Sequence, residues 1–423
     1  MEKAIVLRIF LFLLFILVVD IYAFKGIYLL FNPVMGNRLR IVIYAGYWLL
    51  SACCIAVLLL SFTSSPGTRD VKLYTNFFYL GTLILMVYLP KILFSGFHLL
   101  EDLSTLIIQL IRTIYHHLLH HSNEGIGLSR MFFLSYTGLA AGVLIICILG
   151  YGMLGRFNFK VWRVEICHPS VPAAFNGFKI VQLSDLHLGS FVYHRQQVER
   201  LFTIVNNEHP DAIFFTGDLV NEFAEELEGY DQMFLQLTAR YGKFAILGNH
   251  DYGDYYKWKD STDKKRNLHS IQQFLQRTGF NLLLNRCSLI NHDSSVMAVI
   301  GVENWGEPPF KQYGNLKEAM GSCADIPFKV LLSHDPSHWS AEVFSHPDIF
   351  LTLSGHTHGM QFGIEIGQWK WSPVQYKYPQ WAGLYRCADQ YLYVNRGAGY
   401  IGYTGRVGIR PEVTVITLSS KKE

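Results

Sequence analysis

The sequence predicts an α/β domain of layered sheets and helices, carried behind an all-α membrane region of about four helices. Three observations predict it. Half of the 423 residues are hydrophobic and only 16% are charged, and the apolar excess lies in the first third. From about Arg156, short apolar runs alternate with polar and helical stretches, the texture of a mixed α/β fold. Five of those runs end in carboxylate, imidazole or amide residues, where ligand crevices of open α/β sheets lie. The expected division is residues 1–155 and 156–423.

In the first region, four stretches approach the ~20 residues that a helix needs to cross a bilayer. They are Ala4 to Phe24, Ile41 to Phe62, Leu73 to Phe97 and Phe132 to Met153. The first has no small-residue cleavage site and three more spans follow, so it reads as an anchor rather than a signal peptide. Asp20 is the only carboxylate inside these stretches, which argues against a channel or transporter.

Residues 101–121, between the third and fourth stretches, place Leu103, Leu106, Ile107, Leu110, Ile111, Ile114 and Leu118 at helical spacing. Arg112, His116, His117 and His120 fall largely off that stripe, so the segment reads as an amphipathic helix on the membrane surface. Its histidines read as a titratable interfacial face rather than a metal site. Four spans put both termini on one side. Seven basic residues flank that side against six on the other, which places the second region in the cytoplasm. Seven cysteines, an odd number without C-x-x-C spacing, support neither a disulfide framework nor a thiolate zinc site, and lean the same way. A net charge of +3 gives no nucleic-acid footprint, and oligomeric state is not readable.

In the second region FKIVQL, AIFFT, KFAIL, VMAVIGV, FKVLL, IFLTL, YLYVN and EVTVITL read as strands. RQQVERLFTIVNNEH and the segment around Leu268 to Gln276 read as helices. The chemistry follows the strands. KIVQL leads into Ser184-Asp185-Leu186-His187, and AIFFT into Gly217-Asp218-Leu219-Val220-Asn221. FAIL leads into Gly248-Asn249-His250-Asp251, KVLL into Ser333-His334-Asp335, and IFLTL into Ser354-Gly355-His356-Thr357-His358. In an extended strand, residues i and i+2 share a face, so His356 and His358 can be aimed together.

Asp185, His187, Asp218, Asn249, His334, His356 and His358 form a mixed oxygen and nitrogen set without thiolates. Such a set suits Mn, Fe or Zn. Seven ligands exceed one tetrahedral site and fit two ions about 3.5–4 Å apart that share a carboxylate, an arrangement for phosphoryl displacement.

With these five motifs in this order, residues 178 to 418 resemble the calcineurin-like metallophosphoesterases. The likeness extends to a membrane-associated branch that includes UDP-2,3-diacylglucosamine pyrophosphatases and related cell-envelope phosphodiesterases. The resemblance implies a four-layer αββα sandwich. It implies Asp185, His187 and His358 on one metal, Asn249, His334 and His356 on the other, and Asp218 bridging. It implies a catalytic His250 that stabilises developing charge or protonates the leaving oxygen.

Two positions depart from the family pattern. Asn221 stands where an acid often orients the histidine matching His250, with Glu222 or Asp251 as possible substitutes. Met360 stands where glycine is common, and lacks glycine's freedom at positive φ. Further candidates are Trp369 and Trp371 as part of an apolar lip over residues 369–385, with a packing loop as the alternative. Arg396 and Arg406 are candidate phosphate clamps in a glycine-rich loop.

The expected function is a membrane-bound dimetal hydrolase of a phosphodiester or pyrophosphate bond in an amphiphilic envelope or lipid substrate. An exported phosphodiesterase acting on cell-wall or nucleotide substrates and a non-catalytic scaffold are the alternatives. A scaffold is expected to lose ligands, whereas this chain keeps seven plus His250.

Overall fold

A computed structural model describes residues 2–63, 69–119, 132–308, 310–367 and 369–420. The chain forms two compact units: Met1–Gly67 with Tyr79–Gly150, and Thr68–Phe78 with Tyr151–Glu423.

The first unit is built from α1 (Glu2–Phe31), α2 (Asn37–Thr63), α3 (Val71–Leu119) and α4 (Phe133–Gly155). All four are long and apolar enough to cross a membrane. Small clusters join them, among them Ile16, Val19, Cys54 and Tyr88, and Ala23, Leu30 and Phe94. Asp20 is fully buried, and its carboxylate is neutralised by Lys91 at 2.7 Å. The Ser51 and Tyr88 hydroxyls donate to it at 2.9 and 3.0 Å. Apolar surroundings require such pairing, which here ties α1 to α2 and α3.

The stretch from Glu101 is no separate helix. It continues α3, because no glycine or proline interrupts the chain between Phe97 and Leu119 and Pro90 lies well before it. Leu106, Ile111 and Leu118 are exposed on it; His120 lies outside the described residues. Glu101 is buried and accepts the Leu134 backbone N–H at the start of α4.

The first turns of α3 group with the second unit. Thr75 donates to the Gly189 carbonyl at 2.8 Å, and Arg69 pairs with Glu225 and Asp263.

The second unit begins with β1 (Lys160–Cys167), β2 (Lys179–Leu183), α5 (Arg195–Asn207), β3 (Ala212–Phe215), α6 (Asp231–Leu235) and β4 (Lys243–Ala245). Next come α7 (Ser261–Arg277), β5 (Phe280–Leu282), β6 (Arg286–His292), β7 (Ser295–Gly301), α8 (Leu316–Met320) and β8 (Lys329–Leu332). The last elements are α9 (Ser337–Ala341), β9 (Ile349–Ser354), β10 (Ile364–Ile366), β11 (Trp369–Trp371), β12 (Gly383–Cys387), β13 (Gln390–Val394) and β14 (Glu412–Ser419).

Two six-stranded sheets result, ordered β1-β14-β2-β3-β4-β5 and β12-β13-β9-β8-β7-β6, with a small β10-β11 hairpin. In the first, β2 to β5 run parallel and β14 is antiparallel to β2. In the second, β13, β9, β8 and β7 run parallel, flanked by antiparallel β12 and β6.

Strand alternation builds the layers. Ile180, Phe214 and Phe244 point between the sheets and meet Val299, Val330, Leu351 and Ile416. Their neighbours Val181, Ile213 and Phe215 point outward onto Val198, Leu201 and Val205 of α5 and Ile271 and Phe274 of α7. On the second sheet's outer face, Ile300, Leu331 and Leu392 pack on Leu316 of α8 and Trp339 of α9. Each such side chain contributes about 1.5–3 kcal/mol by its burial. The unit is a four-layer αββα sandwich.

Candidate metal centre

Because β2, β3 and β4 are parallel in one sheet and β8 and β9 in the other, their carboxyl ends lie together. Tight turns then aim the side chains. Asp185, His187, Asp218, His356 and His358 have φ of 52°, 47°, 57°, 73° and 49°, in the left-handed region that L-residues avoid. Each costs on the order of 1–3 kcal/mol, strain that persists where surrounding structure over-determines it. Two glycines permit the crowding. A Cβ at Gly248 would strike the Asp218 carboxylate, and one at Gly355 would strike Ser184 and Asp185.

Two donor sets emerge. One atom from each of Asp185, His187, Asp218 and His358 lies within 4.8 Å of the others, and so do atoms of Asp218, His334 and His356. His358 Nε2 is 3.2 Å from Asp185 Oδ1 and 3.0 Å from His187 Nε2. His334 Nε2 is 3.2 Å and His187 Nε2 3.6 Å from Asp218 Oδ2. Asn249 Oδ1 lies 2.8 Å from His356 Nδ1, which adds an amide to the second set. Asp218 belongs to both.

Hydrogen bonds fix the ligand groups. His334 Nδ1 donates to the Thr216 carbonyl at 2.7 Å, which turns Nε2 toward Asp218. His334 Nε2 is buried and faces only the Asp218 carboxylate, the arrangement of two donors turned toward one cation. Asp185 accepts the His356 backbone N–H at 3.0 Å, and Asp218 accepts that of His250 at 2.9 Å. Burial pushes the His187 imidazole well down, toward the neutral form that ligates. Burial opposes ionisation of Asp218, but the charges of His334 and His250 outweigh it and hold that carboxyl well below its usual range. These donors fit divalent cations.

Two buried carboxyls shape the loops from behind. Asp251 accepts backbone N–H groups of Asp218, Leu219, Val220 and Gly248 at 2.8–3.2 Å. Glu226 does the same for Gly189, Asn221, Glu222 and Phe223 at 2.6–2.9 Å. Burial pushes Glu226 up to about 7.

Residues 7–156 match the family model described as the probable calcineurin-like phosphoesterase transmembrane domain, and residues 178–360 match calcineurin-like phosphoesterase. The Bacillus subtilis protein described as metallophosphoesterase YkuE is 31% identical over 302 residues, covering 69% of this chain and 98% of that one. The chain belongs to the calcineurin-like metallophosphoesterases. A Danio rerio transmembrane protein with metallophosphoesterase domain is 30% identical over 296 residues, 67% of this chain. The match spans 63% of that relative, less than two thirds of its length. The Chlamydia muridarum UDP-2,3-diacylglucosamine pyrophosphatase LpxG is 28% identical over 282 residues, covering 57% of this chain and 83% of that one. With its four apolar helices, this metallophosphoesterase is an integral membrane protein, and its buried Asp/His cluster suits divalent metal.

The remaining residues singled out in this metallophosphoesterase fall in different places. His250 lines the cleft with Asp218, Asn249, His356 and His358, and its Nδ1 donates to the Asn221 backbone carbonyl at 2.8 Å. The backbone of Asn221 thus holds the ring, whatever its side chain. Asp251 does not take the place of the missing acid, because its carboxylate is committed to four backbone amides. Glu222 Oε1 lies 3.8 Å from His250 Nδ1. Burial and the charge of Glu226 push Glu222 up to about 9.

Arg396 and Arg406 do not reach the cleft as clamps. Arg396 is buried and paired with Glu365 at 2.6 Å and Glu412 at 2.7 Å. Arg406, also buried, donates to the Gly399 and Arg396 carbonyls at 2.9 Å and lies 3.2 Å from His358 Nδ1. Trp369 and Trp371 pair with Ile366 and Ile364 in the β10-β11 hairpin and do not line the cleft. Met360 is exposed at φ 54°.

The sequence reading missed Tyr255 and Phe310, which with Val374 and Tyr378 of the 369–385 segment wall a cleft of about 360 Å³. Tyr255, six residues after Asn249, accepts that amide's N–H at 2.7 Å, a proximity that could have drawn it in.

Proposed function

We propose that this membrane metallophosphoesterase holds two divalent transition-metal ions, Mn, Fe or Zn, and hydrolyses a phosphodiester or pyrophosphate bond in an amphiphilic lipid or envelope substrate. The observation that carries this reading is the pair of donor sets sharing the Asp218 carboxylate. Asp185, His187 and His358 would hold one ion, and Asn249, His334 and His356 the other, with Asp218 between them.

When bound, such ions neutralise charge on phosphoryl oxygens and activate water. The chain's own residues do the rest. The Thr216 carbonyl keeps His334 in its ligating orientation, and Asp251 fixes the backbone that carries Asp218. His250 commits Nδ1 to the Asn221 carbonyl, so Nε2 is the atom left to meet a phosphoryl or departing oxygen. In its protonated form that nitrogen donates to the leaving oxygen.

Four membrane helices supply the argument for an amphiphile, since a substrate sharing the bilayer meets the enzyme pre-concentrated and oriented. The count of flanking basic residues favours catalysis on the cytoplasmic face. The test is to load the purified full-length protein with each metal in vesicles and assay phosphomonoesters, phosphodiesters and pyrophosphate-linked lipids. Release of phosphate, alcohol or phosphomonoester from a lipid substrate is expected. Failure to hydrolyse any ester with metal fully loaded ends this reading.

A further inference from the structure

The walls of the cleft carry information about charge and shape that the metal ligands do not. Among the described residues lining it there is no lysine or arginine. Arg396 and Arg406, the candidate clamps of the glycine-rich loop, are committed to protein groups: Arg396 holds Glu365 and Glu412, and Arg406 holds the Gly399 and Arg396 carbonyls and lies 3.2 Å from His358 Nδ1. A phosphomonoester dianion or a pyrophosphate carries charge beyond one scissile phosphoryl group, and proteins meet such charge with bidentate arginine or with lysine. The cleft wall offers neither.

It offers rings. Phe310 packs edge-on against His356 with centroids 5.2 Å apart, and Tyr378 does so at 5.3 Å. The Tyr378 hydroxyl lies 2.9 Å from His356 Nε2. Tyr255 stands 4.8 Å from the His250 ring, and its hydroxyl is engaged by Asn249. Val374 completes the wall. Both tyrosine hydroxyls are thus tied to the site's own residues, and what these side chains turn to a substrate is largely carbon. Planar rings and a branched aliphatic group give large apolar contact to a flat or chain-like neighbour.

We infer that the site selects a singly charged phosphodiester whose ester group beside phosphorus is apolar or aromatic, with Phe310, Val374, Tyr255 and Tyr378 as specificity-determining residues. This rests on the hydrolytic reading above and narrows it from two bond types to one. The reaction balances simply. Water adds to phosphorus, the P–O bond to the apolar group breaks, that oxygen leaves with one proton as an alcohol or phenol, and a phosphomonoester remains.

The test uses full-length, metal-loaded protein and substrates that release the same chromophore. These are bis(4-nitrophenyl) phosphate, methyl 4-nitrophenyl phosphate and 4-nitrophenyl phosphate. The diaryl diester is expected to exceed the monoester in kcat/KM by roughly 10–100-fold, the worth of one or two charge-assisted hydrogen bonds that the wall does not make. Phe310→Ala is expected to lower kcat/KM for the diaryl diester more than for the methyl diester, by about 10-fold in the ratio. Val374→Arg is expected to shift preference toward the monoester. Calorimetric titration with diphenyl phosphate and phenyl phosphate reads the same preference without turnover, and metal content checks that each variant keeps its centre. Equal or better use and binding of the monoester overturn the inference, as does an unchanged diaryl-to-methyl ratio in Phe310→Ala. A protein that binds diphenyl phosphate preferentially but hydrolyses nothing fails the enzymatic reading while supporting the selectivity.

Discussion

His334 turns its Nε2 to within 3.2 Å of Asp218 because its Nδ1 is spent, at 2.7 Å, on the carbonyl of Thr216. That carbonyl belongs to the residue after β3, and Asp218 follows two positions later. One turn therefore supplies both the shared carboxylate and the orientation of an imidazole arriving from the other sheet. The centre is a product of two sheet ends meeting.

His250 is held by a backbone carbonyl and belongs to neither donor set. His250→Ala is expected to leave metal content unchanged and lower kcat on the order of 10²–10⁴, the usual worth of a positioned proton donor. Elemental analysis alongside steady-state kinetics checks it. Loss of metal together with activity would make His250 a ligand.

Met360 is exposed and occupies the left-handed region, where a side chain costs roughly 1–2 kcal/mol and glycine costs far less. Met360→Gly is expected to stabilise the second unit by about 1 kcal/mol, read as a rise in thermal midpoint. A lowered midpoint would mean that the methionine side chain makes compensating contacts.

Glu226 is a carboxyl whose folded pKa, about 7, is raised above its ordinary 4.5 by burial. A raised carboxyl pKa contributes stability that is full below about 4.5 and is lost as pH climbs to about 7. Glu226→Gln removes that slope. It also turns amide hydrogens toward backbone N–H donors, so the variant is expected to be destabilised by about 2–3 kcal/mol. Denaturant titrations between pH 4 and 8 check both. An unchanged slope in the variant would assign the pH dependence elsewhere.

Much of this was legible in sequence, for physical reasons. The buried strands β2, β3, β8 and β9 are continuous apolar runs closed by functional residues, so both element and site could be read from local order. β1, β6 and the β10-β11 hairpin were missed because their half-exposed faces mix Trp, Arg, Asn and Glu with apolar residues. The membrane surface helix was misjudged as a separate element because periodicity reports a face and is silent on whether the preceding helix ends. Arg396 was misread for a different reason. Its partners Glu365 and Glu412 come from distant parts of the chain, and nothing local tells a buried ion pair from a clamp.

The central claim is that one carboxylate serves two cations, and metal counting tests it most directly. Active wild-type protein is predicted to contain about two transition-metal ions per chain. Asp218→Asn is predicted to lower occupancy of both sites, because the charge that offsets both ions is gone, whereas His356→Ala is predicted to empty mainly one. Elemental analysis that found a single ion, or none, in fully active wild-type protein would contradict the account.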